Sequence, residues 1–171
     1  MRKITLVFFL VALLSVSAFA DHPSGWGVGV VGQGSFGLSG AGRGGAALSL
    51  KMPHLPIYWG IDFGLSKNYL GIGATGDLYF IDDTLARDIN LGWFFGLGAY
   101  ADVYLYNGSE SGISLGVGAR TPIGVNIFPL NFLEIFLDLA PSLGVGFGIG
   151  DRGGIGLDSG IGADFGVRFW F

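Results

Sequence analysis

The chain has 171 residues, of which 50% are hydrophobic and only 13% charged, with 33 glycines and no cysteine. A net charge of −4 at neutral pH argues against nucleic acid as a partner, because phosphate binding requires a basic face. The missing cysteine excludes disulfides, thiolate chemistry and a lipid-modified N-terminal cysteine. Glycine at this density excludes long helices, at roughly 1 kcal/mol per residue relative to Ala.

Residues 1–20 read as a cleaved secretory signal peptide. Arg2 and Lys3 give a basic start, Ile4 to Leu14 a short apolar core, and Ala18-Phe19-Ala20 a small-x-small cleavage site. Cleavage there leaves 171 − 20 = 151 residues, seven bases against 13 acids, and a net charge of −6. Residues 21–171 then form one domain. No apolar run in it reaches the ~18 residues of a transmembrane helix, so the hydropathy is carried by alternation, as in lipid-facing strands.

The alternation predicts eight strands. The first runs near Trp26 to Phe36, and a glycine-rich loop, Gly37 to Gly45, leads to a second over Ala46 to Lys51. Pro53 and Pro56 force a turn, since proline lacks a ladder donor. The third strand presents Ile57, Trp59, Ile61, Phe63 and Leu65 outward, and after Lys67-Asn68 the fourth presents Leu70, Ile72, Ala74, Leu78 and Phe80. Ile81 to Ile89 is a connection. The fifth, Leu91 to Tyr106, ends at Asn107-Gly108, a hairpin signal. The sixth covers Ile113 to Ala119 and stops before Pro122, and Pro122 to Leu130 is a second long connection. The seventh runs from Phe132 to Ile149 with a bulge or kink expected at Pro141. Asp151 to Gly154 turns into the eighth.

That last strand alternates most clearly. Ile155, Leu157, Ile161, Ala163, Phe165, Val167, Phe169 and Phe171 share one face, while Asp158, Asp164, Arg168 and Trp170 lie between them. A greasy, aromatic terminal strand is an aggregation hazard in water but fits a barrel whose outer face meets lipid. Phe171 with Phe169, Val167 and Phe165 resembles the C-terminal signature of outer-membrane β-barrel proteins, and the resemblance implies recognition by the barrel-assembly machinery. In size and rhythm the chain is similar to the small eight-stranded barrels of the OmpA-domain, OmpX and OmpW type. Lys51 to Ile57, Arg120 to Gly124 and Glu134 to Leu137 also resemble segments of a group of spirochaete outer-membrane proteins. The expected fold is therefore all-β, an eight-stranded antiparallel up-and-down transmembrane barrel in the bacterial outer membrane, monomeric and surrounded by outer-membrane lipids. An even strand count places both ends in the periplasm.

The charges sort by face. No Asp, Glu, Lys or Arg falls on an outward strand position; Lys51, Asp62, Asp77, Asp102, Arg120, Glu134, Asp138, Asp158, Asp164 and Arg168 all point inward. A lipid-facing charge at mid-depth costs roughly 2–4 kcal/mol, so the bilayer demands this sorting. Neighbouring strands should bring Glu134 towards both Arg120 and Arg168, with Asp138 and Asp164 in higher layers. A lumen-filling salt-bridge network is favoured over a gated polar conduit or ion site, because eight strands leave room only for side chains. Trp26, Trp59, Trp93 and Trp170 fall near periplasmic strand ends and read as an aromatic girdle. Inward glycines such as Gly96, Gly118 and Gly144 are expected to seat aromatic rings from neighbouring strands. The long connections at Ile81 to Ile89 and Pro122 to Leu130 invert the usual pattern of short periplasmic turns.

Other motifs carry no function. Gly27-x-Gly29-x-x-Gly32 matches a dinucleotide fingerprint, but no helix follows it. Asn107-Gly108-Ser109 is a glycosylation sequon whose expected role is the turn. His22 and His54 offer no metal-ligand spacing, and no cofactor is expected. His54 has no evident partner for nucleophilic catalysis. The reading is a non-enzymatic barrel with a structural or surface-associated role. The alternative, implied by the OmpW-type likeness, is a narrow channel for small or apolar solutes. An outer-membrane lipid enzyme and a soluble ligand-binding barrel are disfavoured.

Overall fold

A computed structural model describes residues 22–37, 43–107, 111–151 and 153–171. The expected signal peptide, most of the glycine loop after the first strand, Gly108 of the predicted hairpin and Arg152 of the last turn lie outside the described residues. The strands are β1 (Gly27–Gly37), β2 (Arg43–Lys51), β3 (Ile57–Leu65), β4 (Tyr69–Ala86), β5 (Leu91–Tyr106), β6 (Gly112–Arg120), β7 (Ile123–Leu130), β8 (Leu133–Gly150) and β9 (Gly154–Trp170). All pairings are antiparallel, and the sheet closes through β1 with β9 and β4 with β5.

The nine described strands make eight staves, because β6 and β7 are one stave. Gly98 opposite Arg120 and Phe95 opposite Ile123 keep one register against β5, and Arg120 opposite Ser142 and Ile123 opposite Leu139 keep one register against β8. The gap between them has a local cause. Thr121 N–H donates to Pro141 O and Gly96 N–H donates to Pro122 O, at 2.9 and 2.8 Å. Neither proline can return the bond, so the ladder loses a donor on each side of this stave at the same height. Pro141 produces no bulge in β8, whose register against β9 is unbroken from Leu133 opposite Phe169 to Gly148 opposite Gly154.

The same finding removes the two long connections. Pro122 to Leu130 is mostly β7, and most of Ile81 to Ile89 is the end of β4 followed by a single 3-10 turn, Arg87–Ile89. The turns at the end where residues 22 and 171 lie (the lower end) are short, the pattern usual at the periplasmic end of outer-membrane barrels. Following paired residues once around the ring gives Gly27, Lys51, Tyr58, Asp77, Gly98, Arg120, Ser142, Gly160 and Gly37. The path returns ten residues further along β1. With eight staves this stagger corresponds to a strand tilt of about 40°.

The apolar residues are on the outside. Val30, Ile61, Phe63, Ile72, Leu97, Val117, Leu137, Leu143, Phe165 and Phe169 are exposed, while Glu134, Arg168, Asp138 and Asn126 are among the most buried side chains. The inside is filled by rings lying over glycines. Tyr104 covers Gly71, Tyr79 covers Gly96, Tyr100 covers Gly118, Phe94 covers Gly124 and Phe136 covers Gly166. Each pair is directly opposed in register. A side chain at any of these glycines would take the space of the ring, which is how an eight-stave lumen accommodates so many aromatics.

Candidate functional site: a charged lumen closed by His22

Strand alternation places β9 residues Asp164, Arg168 and Trp170 on the inner face, and β8 opposes Asp138 to Asp164 and Glu134 to Arg168. The lower tier is built on Glu134, which is 0% exposed. Arg168 Nη1 donates to its Oε2 at 2.7 Å and Trp170 Nε1 donates to the same oxygen at 2.8 Å. The rest of the guanidinium donates to Ser49 Oγ, at 3.1 and 2.9 Å. Its face lies 4.6 Å from the Phe136 ring centroid and 5.0 Å from that of Tyr58, the geometry of a cation–π contact.

His22, on the short segment before β1, completes this tier. Its Nε2 lies 2.7 Å from Glu134 Oε1, and its Nδ1 bonds Asp82 Oδ2. The imidazole thus spans the lumen between β8 and β4. Asp82 reaches the lumen through a bulge. Tyr79 opposes Gly96 but Ile81 opposes Phe95, so Phe80 is the extra residue and inward and outward positions exchange beyond it. Without the bulge, Asp82 would face outward.

Burial alone would lower the pKa of His22, but the Glu134 charge and the Asp82 bond outweigh it, and the pKa is raised from 6.5 to about 9. The protonated ring donates one N–H to each carboxylate. Asn126 lies 2.8 Å from the same Nε2. The contact is made by Asn126 Nδ2, which also donates to Glu134 Oε1 at 3.3 Å, while Asn126 Oδ1 has no hydrogen-bond partner among the described residues. The folded-state pKa is raised, so the stabilisation is complete below about pH 6.5 and is lost as pH rises through about 9. The shift corresponds to about 3 kcal/mol. In NMR spectra of the refolded barrel the His22 ring is expected to titrate near pH 9; an ordinary histidine midpoint would overturn this.

The middle tier belongs to Arg120. It lies 3.4 Å from Asp77, 3.1 Å from Asp164 and 3.9 Å from Asp138. Glu134 therefore meets Arg168 but not Arg120, contrary to the expectation that it approaches both. Arg120 belongs to the middle of a continuous stave, not to its lower end, because β7 extends the stave downward. Above this tier a cavity of about 210 Å³ is lined by Asp62, Asp102, Asp158, Asp164, Tyr100 and Arg120, among others. Gln33 Nε2 donates to Asp62 at 2.8 Å and Tyr100 Oη donates to Asp158 at 2.9 Å.

The expected girdle holds three of its four members on the outside. Trp26 and Trp59 are 47% and 37% exposed and Trp93 is half-buried, but Trp170 is 5% exposed and faces the lumen. Alternation in β9 had already put it beside Arg168; strand height suggested lipid, and the bond to Glu134 holds it inside. Phe165, Phe169 and Phe171 are exposed along the outer face and Val167 is half-buried there. His22, Asp82, Asn126 and Ser49 were not picked out from the sequence. A histidine just before the first strand was the available signal for His22.

Among solved structures, the chain is similar to the N-terminal β-barrel domain of Pseudomonas aeruginosa OprF, at 11% identity and a TM-score of 0.50, over 84% of this chain and 97% of that one. The chain has the fold of the small outer-membrane β-barrels. The barrel is also matched by Neisserial surface protein A, at 12% identity and a TM-score of 0.48, over 87% of this chain and 98% of that one. A major outer membrane protein from Thermus thermophilus matches at 14% identity and a TM-score of 0.43, over 85% of this chain and 99% of that one. No protein-family model matches the barrel, and no curated protein sequence matches it.

Proposed function

We propose that the protein is a structural barrel of the bacterial outer membrane, exported by a signal peptide cleaved after Ala20 and inserted by the barrel-assembly machinery. It resides there as a monomer among outer-membrane lipids, its lower end in the periplasm, with no catalytic role. It presents short loops at the surface and passes no solute. The observation that supports this is the unbroken line of contacts Arg168–Glu134–His22–Asp82 across the lower lumen, packed among aromatic rings. In planar bilayers the refolded barrel is expected to stay silent near neutral pH. Steady unitary current steps under those conditions would overturn the closed-lumen reading.

The acid-lined cavity above Arg120 favours a second reading, a narrow channel for small solutes in which the charged tiers are its closed gate. Current that appears only after the tiers are broken, as in His22→Ala combined with Arg120→Ala, supports the channel; silence in that variant supports the filled barrel.

A further inference from the structure

The lower tier has the construction of a ligand site with its ligand in place. The side chain of His22 is 1% exposed. Five rings surround it: Tyr58, Tyr79, Phe94, Phe128 and Trp170, with centroids 5.4, 6.0, 6.1, 5.8 and 5.8 Å away. Three of these, Tyr58, Tyr79 and Phe94, form a continuous stack with spacings of 4.1 and 4.5 Å. Every wall is carried by a barrel strand. The occupant is not. It arrives on residues 22–26, which are tied to the barrel further along by two backbone bonds between Trp26 and Phe171, 3.1 and 2.8 Å.

The walls also define what they hold. Asp82 and Glu134 face each other across the ring plane and accept from two opposite N–H groups. Arg168 on β9 supplies one positive charge to Glu134. Lys51 on β2 approaches the Tyr58 ring, at 5.5 Å, and its ammonium donates to Met52 O. The Lys51 ammonium is turned to Met52 O and pairs with neither acid, so at the ring two carboxylates and one committed guanidinium leave the cage one positive charge short when His22 is withdrawn. Aromatic surroundings favour a cation that is weakly hydrated and flat, and an uncompensated buried carboxylate penalises an empty or neutral-filled site.

We propose that this cage is a binding site for a planar organic cation of the imidazolium class, reached from the lower end of the barrel, and that His22 is its tethered occupant. The proposal rests on the orientation given above only for the side from which a ligand arrives. Binding itself is a property of the cage. A free ligand competes with a tethered one at a high effective concentration, so the wild-type barrel binds weakly and a barrel lacking the imidazole binds well.

The test uses His22→Ala in residues 21–171, the chain left by the proposed cleavage, refolded in detergent micelles, with heat-modifiable migration as the check on barrel formation, at about pH 6, where imidazole is protonated. The probe is imidazole, and pyrazole, which has the same shape but stays neutral, is the control. Saturable binding of imidazole by calorimetry, at least about tenfold tighter than pyrazole and at least about tenfold tighter than in the wild type, is the expected result. A folded His22→Ala barrel that does not discriminate the two, or binds neither, overturns the proposal. If His22→Ala does not fold alone, refolding with each additive decides: recovery of the heat-modifiable band with imidazole alone supports the cage, and no recovery overturns it. Failure of the membrane reading has its own signature, a wild-type chain that folds without detergent.

Discussion

Glu134→Ala is expected to destabilise the barrel by about 3–5 kcal/mol, the range for removing one partner of a buried ion pair. The carboxylate accepts from Arg168, Trp170 and His22 together. Without it the Arg168 guanidinium keeps Ser49 as its bonded side chain among the described residues, and the His22 imidazolium keeps Asp82 as its counter-charge. Two buried cations are left facing each other where one anion had separated them. Glu134→Gln retains an acceptor oxygen and the packing volume, so it should lose less than the alanine variant. Urea unfolding of the barrel in lipid vesicles measures both. A loss under about 1 kcal/mol for Glu134→Ala would mean that water, not the carboxylate, solvates the two cations.

Arg120→Met should cost a similar amount, about 3–5 kcal/mol, for the opposite reason. The guanidinium holds Asp77, Asp164 and Asp138 around one point. Asp138 and Asp164 are directly opposed on β8 and β9, and like charges opposed across a pair of strands repel. Arg120 Nη2 donates to Asp164 Oδ2 at 3.1 Å, whereas Oδ1 of Asp77 and of Asp138 have no hydrogen-bond partner among the described residues, so charge and not hydrogen bonding ties those two acids to the arginine. Removing the charge exposes the repulsion, and removing a carboxylate as well relieves it. Arg120→Met with Asp164→Asn is therefore expected to be less destabilised than the sum of the two single changes, the non-additivity of residues in one network. Additive losses would show that each acid is solvated independently of the arginine.

These two residues also show where sequence reading succeeded and where it stopped. Both were placed in the lumen from alternation alone, because a strand must put successive side chains on opposite faces whatever surrounds it. The separation into tiers was not legible. It depends on the height of Arg120, which depends on whether the chain after Pro122 leaves the sheet or continues it. A proline removes one donor but does not specify what its neighbours do about it; here β5 and β8 keep their register on both sides of the gap.

The eight staves, the greasy exterior and the inward set of charges follow from the sequence by itself, since period-two patterning and the bilayer's rejection of charge are local rules applied residue by residue. The tertiary structure alone decided which of those charges meet, because a stagger of ten around the ring brings together residues far apart in the chain. It also turned Asp82 inward, through a bulge at Phe80 that no local pattern announces. The seating of His22 depends on both decisions: its two carboxylate partners face one another only once the ring has closed.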